Sequence, residues 1–547
     1  MALPRAVGHG WAALSEGRWL DARCAFAARL AKEEAPEALE GLSWAAWWLD
    51  DEALLFESRT RAYASYRRAG DLASAGRMAT WLAADEVDFH GARAVAAGWL
   101  RRAHRILDAL EPGSDHGWLA FHEAYLTLVA GELDAAREGA IVAADVGRRF
   151  GSADLEMLGL ALEGSVLVGS TEIDAGMERL DEATATALEG NAEIPISSAW
   201  TCCFLVSACT ATRDHERAYA WCDRIAAFAE RYGSRYMLAF CRSEYGLIHL
   251  WRGDWDAAET MLVDAIDDYR ASRPAWVAAP HVTLAELRRR QGRTGEAAAL
   301  LEDAGSGTSA DVCRAWLALE ARDTRRAVEL ARRALRRPPP RGFARLPALE
   351  LLVRASTARG DVSEAETAAS ELADLAAAAG STALRATAAL ATGIVKATRG
   401  EHVEALEPFE DATDDFERVG APYEAASARV ELGRSLLSVG RQEQATSELG
   451  AAAAAFRRLG AEGDRARAQA ILDTVGGDSR PIVTRREREV LVHLASGLTN
   501  RQIADRLVVS EHTVHRHVTS IFRKLGVSTR TAAAAHAIRA GLVDEPD

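Results

Sequence analysis

The chain is 547 residues long, and a single hydrophobic core rarely grows past roughly 250 to 300 residues, so more than one domain is expected. With 49% hydrophobic and 27% charged residues, and no stretch of ~20 uninterrupted apolar residues, it contains no membrane-spanning segment and reads as soluble. The formal net charge of -15 excludes a chain that meets nucleic acid along its whole length, so the distribution of that charge matters.

At the N-terminus, Met1-Ala-Leu-Pro-Arg5 is followed by His9, Arg18, Asp21 and Arg23 rather than by an apolar stretch with a small-residue cleavage site. A chain that is not secreted is expected. The seven cysteines stand at 24, 202, 203, 209, 222, 241 and 313, without the paired spacing of a zinc site or a disulfide scaffold. That pattern fits a reducing cytoplasm. Cys202, Cys203, Cys209, Cys222 and Cys241 are close enough in sequence for a redox or metal cluster, but free cysteine packs as a small apolar residue, and a core role is expected. All fourteen tryptophans lie between Trp11 and Trp316, with Trp44, Trp47 and Trp48 together. Core filling is the expectation for them; a concave surface that binds a ligand or partner is the alternative. Acidic pairs such as Asp50-Asp51 and Asp267-Asp268 read as solvated surface.

Farther along, glycines fall at 360, 380, 400, 420, 440 and 460, a twenty-residue period. The runs between them are rich in Ala, Leu, Glu and Arg, and Gly is favoured just past a helix end. Each interval is therefore one helix and a turn. Two helices make a 40-residue unit, in which Phe416-Glu-Arg-Val-Gly-Ala421 lies over Phe456-Arg-Arg-Leu-Gly-Ala461. Gly360-Asp-Val-Ser-Glu-Ala, Gly400-Glu-His-Val-Glu-Ala and Gly440-Arg-Gln-Glu-Gln-Ala are each expected to open a second helix. These segments resemble tetratricopeptide repeats, although the usual unit is ~34 residues. The same opening recurs less regularly at Gly131, Gly253 and Gly295, and no useful length alternates apolar and polar residues as a strand would. The expected fold class is all-α: a tetratricopeptide-like helical solenoid over residues 1–475, divided near 338–340 where three prolines stop a helix, then a linker at 476–483 and a small helical domain at 484–543.

That small domain carries the functional signal. Residues 481–543 hold ten Arg or Lys against four Asp or Glu, a basic end on an acidic body. Thr484-Arg-Arg-Glu487 is a capping box, and the helix it opens has Val490, Leu491 and Leu494 as its apolar stripe and Gly497 past its end. Thr499-Asn-Arg-Gln502 repeats the device for a short helix through Leu507. After the turn Val508-Val-Ser510, a longer helix from Glu511 to Leu525 places Val514, Val518, Ile521 and Leu525 on one face, with Gly526 beyond it. A fourth helix is expected from Ser528 to Gly541. A short helix, a three-residue turn and a longer helix form a helix-turn-helix, whose second helix is narrow enough to enter the major groove.

Four segments in order, Thr484-Arg-Arg-Glu-Arg-Glu-Val-Leu, Gly497-Leu-Thr-Asn-Arg-Gln-Ile-Ala, Ser510-Glu-His-Thr-Val-His-Arg-His-Val and Ile521-Phe-Arg-Lys-Leu-Gly-Val, resemble the LuxR/FixJ-type DNA-binding domain. The resemblance covers about 60 of the 547 residues. It implies a four-helix domain that binds inverted half-sites of double-stranded DNA as a homodimer. Carried onto this chain, it implies DNA contacts from Thr499, Asn500 and Arg501, and from Ser510, Thr513, Val514, His515, Arg516, His517, Thr519, Arg523 and Lys524. The residues after the Thr513-Val514 pair would enter the groove, namely His515, Arg516 and Thr519. The family commonly has lysine where this chain has His515, so no target sequence is carried over. His517 matches the family's usual histidine, placed near the phosphate backbone. Arg516 suits bidentate reading of guanine, while Arg501, Arg523 and Lys524 suit phosphate. His512, His515 and His517 lack an acidic or cysteine partner nearby, and no metal or cofactor is expected.

Large regulators of this type often add a nucleotide-binding module, but the chain has no Gly-Lys pair with which to build a phosphate loop. Strands of a receiver domain, a Gly-x-Ser-x-Gly elbow and a His-Glu-x-x-His helix are also missing from the sequence, so an enzyme is not expected. Two readings stand: a cytoplasmic transcription regulator whose repeats sense a ligand or protein, and a repeat scaffold anchored to DNA.

Overall fold

The computed structural model describes residues 8–189, 194–337, 342–477, 484–525, 527 and 529–539. The three prolines at 338–340, most of the expected linker, Gly526, Ser528 and the end of the fourth helix lie outside them. All regular structure among the described residues is helical, and the chain separates into two units, Met1–Ala468 and Gln469–Asp547.

In the first unit, consecutive helices joined by short turns pack on each other, which forces them antiparallel. Every second helix also touches the next but one. Ser114–Ala130 packs on Ala153–Gly169, that on Pro195–Thr212, and the series continues through Arg235–Arg252, Ala278–Arg290, Thr308–Glu320, Leu346–Arg359, Thr382–Thr398 and Pro422–Ser438. These form an inner layer and the intervening helices an outer one, the tetratricopeptide-like arrangement. The twenty-residue glycines lie in the left-handed region, with φ from +62° at Gly380 to +83° at Gly360 and Gly400. At Gly360 the helix end closes with Gly360 N donating to Thr357 O at 3.0 Å and Asp361 N to Ser356 O at 2.8 Å. Phe416 and Phe456, equivalent by period, are both 1% exposed.

Three expectations are corrected. The helix after Gly400 begins at Leu406, and His402–Ala405 is a turn. Pro408 has no N–H to give to Glu404, so regular helical bonding starts only where the proline falls in the first turn. The body is not divided near 338–340, because one apolar cluster joins Val328, Leu330 and Ala334 to Phe343, Leu346 and Leu349. Prolines end a helix without preventing the flanking helices from packing together. The last body helix, Glu462–Gly477, runs through Gly476 and Gly477, two residues into the expected linker.

Of the tryptophans, Trp44, Trp81 and Trp118 are core, while Trp200 and Trp276 are half-buried and packed against that core. Cys202, Cys209, Cys241 and Cys313 are buried. The acidic pairs are not plain surface. Asp50 accepts from the fully buried Arg273 at 2.8 Å, Asp51 caps the helix Glu52–Ala69, and Asp268 is paired with Arg242. Arg273 and Trp19, whose Nε1 donates to Tyr232 O at 2.8 Å, tie the first helices to residues more than two hundred positions away.

Close helix approach rests on small residues. A Cβ at Gly159 would stand 2.6 Å from Ala144 N and 2.8 Å from Ala140 O, both backbone atoms. Gly98, inside Arg93–Leu107, has nothing within 4 Å of that position. Gly159→Ala is expected to lower local stability by about 1–3 kcal/mol through overpacking, and Gly98→Ala to raise it by roughly 0.5–1 kcal/mol. Amide exchange of the two helices in each variant measures both; equal effects of one sign would refute the packing argument.

Candidate nucleic-acid interface

Four helices make the C-terminal domain: Arg485–Ala495, Asn500–Leu507, Glu511–Leu525 and Arg530–Arg539. The first two open as their sequences dictate. Glu487 N donates to Thr484 Oγ1 at 3.3 Å and Thr484 N to Glu487 Oε2 at 2.6 Å, while Gln502 N donates to Thr499 Oγ1 at 3.4 Å and Thr499 N to Gln502 Oε1 at 2.9 Å. Ser510 starts the third helix, accepting from Thr513 N at 3.1 Å. Between the second and third helices Val508 takes the left-handed conformation, φ +54°, with its side chain 90% exposed. A β-branched residue there carries roughly 1–2 kcal/mol of strain, which the sharp turn imposes.

Val490, Leu491 and Leu494 meet Ile503, Ala504, Val514, Val518, Ile521, Leu525 and Ala533 in one core. Burial of this stripe sets the rotation of the third helix, so the opposite face, with His515, Arg516, Thr519 and Arg523, is exposed. Arg501 is exposed at the head of the second helix. Among the described residues Arg501, His515, Arg516 and Arg523 have no side-chain hydrogen bond or ion pair. His517 is half-buried beside them, and the Thr519 hydroxyl donates back to His515 O at 3.0 Å.

Several residues expected at DNA also have partners within the domain. Val514 is fully buried, so the spacing that puts it next to His515 in sequence turns it into the core. Asn500 Oδ1 accepts from Arg530 at 3.0 Å, and Arg530 also donates to Leu498 O, which fixes the entry to the second helix. The Ser510 and Thr513 hydroxyls bond to each other at 2.7 Å. Lys524 Nζ donates to Glu487 Oε2 at 2.6 Å, so its ammonium is already neutralised within the domain.

Glu487 is the residue that sequence reasoning under-read. Beyond its capping role it accepts from Ser520 Oγ at 2.7 Å as well as from Lys524, tying the start of the first helix to the recognition helix. The i, i+4 spacing of Ser520 and Lys524 was a signal that both face one way; their common partner was not legible. Arg486 adds a second tie, donating to Glu489 at 2.6 Å and to Leu507 O at 2.9 Å. Burial alone raises the Glu487 carboxyl, but the Lys524 ammonium, the Thr484 amide and the Ser520 hydroxyl outweigh it and hold it at about 2.

A folded-state value below the ordinary carboxylate range stabilises the domain above that range, and the contribution is lost as pH falls toward about 2. Amide exchange in 485–525 of the full chain is therefore expected to speed up as pH is lowered from the ordinary glutamate range, after correction for intrinsic rates. Glu487→Gln should show the faster exchange already at neutral pH and lose this acid dependence. An unchanged acid profile in the variant would remove Glu487 from this role.

A short helix, a tight turn and a second helix with an exposed basic face, braced by two further helices, define a helix-turn-helix domain. The family model of bacterial regulatory proteins, luxR family (GerE), matches residues 481–537. The transcriptional regulatory protein LnrK of Bacillus subtilis (strain 168) is 47% identical over 60 residues, 11% of this chain and 27% of LnrK. The spore germination protein GerE of the same organism is 41% identical over 63 residues, 12% of this chain and 85% of GerE. This chain therefore spans about a quarter of LnrK but most of GerE. The crystal structure of a Rap protein complexed with competence and sporulation factor is similar at a TM-score of 0.39 and 12% identity, over 71% of this chain and 99% of that one. The chain belongs to the luxR family of bacterial regulatory proteins.

Proposed function

We propose that this protein is a cytoplasmic transcription regulator that reads promoter DNA as a homodimer through the helix Glu511–Leu525, while its repeat body receives a ligand or protein signal. The observation that carries the reading is the exposed face formed by His515, Arg516, Thr519 and Arg523, with Arg501 beside it, on a helix whose other face is locked in the core. Cations left without internal partners at a helix of groove-fitting width are what base edges and phosphates require. The acidic body has no comparable role toward DNA, since like charge repels it. Two body units each carrying one domain would give the two-fold symmetry of inverted half-sites. A signal would act by favouring one of two states that differ in how those domains are presented.

Selection from a randomised DNA library by the full-length protein, at two salt concentrations, tests this. The expected result is a two-fold symmetric site retained at the higher salt, because sequence-blind phosphate binding falls steeply with salt. Recovery of only salt-sensitive, sequence-blind binding would favour the scaffold reading.

A further inference from the structure

Inside the repeat body, walled mostly by inner helices, lies a cavity of about 960 Å³. Its wall includes the rings of Tyr125, Trp200, Phe204, Phe240 and Trp276, all half-buried, unlike the fully packed Trp81 and Trp118 nearby. Tyr125 and Phe204 meet edge to face at 6.0 Å, which leaves one ring presenting its face where the other presents its edge. Asp88 reaches the same wall at the end of the helix Leu72–His90 and is 6% exposed. It is the one carboxylate on that wall among the described residues.

No hydrogen bond or ion pair to the Asp88 carboxylate occurs among the described residues. Arg273, the guanidinium whose charge acts on Asp88, spends its Nη atoms on Asp50 at 2.8 Å, Ser272 O at 2.9 Å and Trp47 O at 3.4 Å. His122, on the same wall with Nε2 unpartnered, is held neutral because burial, helped by Arg59, lowers it to about 3. Two arginines also reach the wall: Arg337 shares the Asp311 carboxylate, at 2.9 Å, with Arg333 and Arg314, and Arg93 is solvent-exposed. A buried carboxylate with no donor, facing a cavity of ring faces, is short of a positive charge.

We propose that this cavity binds an organic cation, a substituted amine or quaternary ammonium whose charge meets the Asp88 carboxylate and whose carbons pack on the surrounding rings. The size and largely apolar wall fit a small-molecule site, and ring faces attract cations. The inference deepens the reading of the body as the part that receives a signal and takes its biological sense from it, but binding is measurable with no DNA present.

The test is calorimetric titration of the full chain with benzyltrimethylammonium, with benzyl alcohol and benzenesulfonate as neutral and anionic counterparts. Saturable binding of the cation at one per chain is expected, with at least tenfold weaker binding of the other two. Asp88→Asn and Trp200→Leu are each expected to weaken the cation about tenfold or more, in variants whose helical circular dichroism is unchanged.

The wild type supplies a readout that no variant can confound. Burial pushes Asp88 up to about 7, with Arg273 opposing and Asp85 adding to the rise. Tyr125, Tyr236 and Cys203, which also face it, are pushed up out of the neutral range, and Asp85 lies at about 6. A quaternary ammonium does not titrate, so its affinity should rise about tenfold from pH 6 to pH 8 as Asp88 ionises. Absence of saturable binding, equal binding of benzenesulfonate, or a flat pH profile would overturn the proposal and leave Asp88 as a distant counter-ion of Arg273. None of those results bears on the library selection, which fails or succeeds separately.

Discussion

Arg59→Ala is expected to lower the local stability of the N-terminal helices by about 3–5 kcal/mol, the cost of breaking a buried ion pair. Arg59 is fully buried, donates to Asp85 Oδ2 at 2.7 Å and to Ser43 Oγ at 3.2 Å, and stacks 4.6 Å from the Trp44 ring centroid. Its removal leaves Asp85 buried without its cation. Burial already pushes Asp85 up to about 6 against the pull of Arg59, and without that pull the value must rise further. A raised carboxyl makes stability fall as pH climbs toward the folded-state value. For the wild type this decline ends near pH 6; in Arg59→Ala it should continue above it. Amide exchange in Pro36–Trp48, Glu52–Ala69 and Leu72–His90 at pH 6 and pH 8 reads both effects, because a long repeat array does not unfold as one unit. The double change Arg59→Met with Asp85→Leu should recover most of the loss. A single variant that costs under about 1 kcal/mol, the range of an exposed pair, would show that the pair is not buried in solution.

Arg516→Ala is expected to remove about 1–3 kcal/mol of base discrimination per half-site, roughly five- to 150-fold, at one position of the selected sequence. In a symmetric site the loss falls at two related positions. Arg523→Ala and Arg501→Ala should instead weaken binding to all sequences alike and reduce the salt dependence by about one phosphate each. Lys524→Ala should act differently again, by releasing Glu487 and loosening the domain rather than by losing a phosphate contact. Quantitative binding to the selected site and to single-base variants, at several salt concentrations, separates the three patterns. A uniform loss in Arg516→Ala, with no position relaxed, would assign that residue to the backbone.

Much of the fold was legible in the sequence because its determinants are local. The glycines from 360 to 460 mark left-handed turns that any side chain with a Cβ would resist, and the structure has positive φ at each. Thr484/Glu487 and Thr499/Gln502 are four-residue devices that need no distant partner, and both formed as read. The exposed positions His515 and Arg516 followed from the helical period of Val514, Val518 and Ile521, since fixing the buried face fixes the other.

What the sequence by itself determined was thus the helices, their turns, the repeat period and the family of the last domain, all set by residues within a few positions of each other. Only the tertiary structure decided that Lys524 answers Glu487, that Asn500 is held by Arg530, that Arg59 is paired with Asp85 inside the body, and that Asp88 faces a ring-lined cavity. Each of these depends on charges and polar groups brought together across tens of residues, where burial makes an unpaired group costly and a paired one specific. Periodicity shows which face of a helix is buried, but not which residue of another helix lies against it.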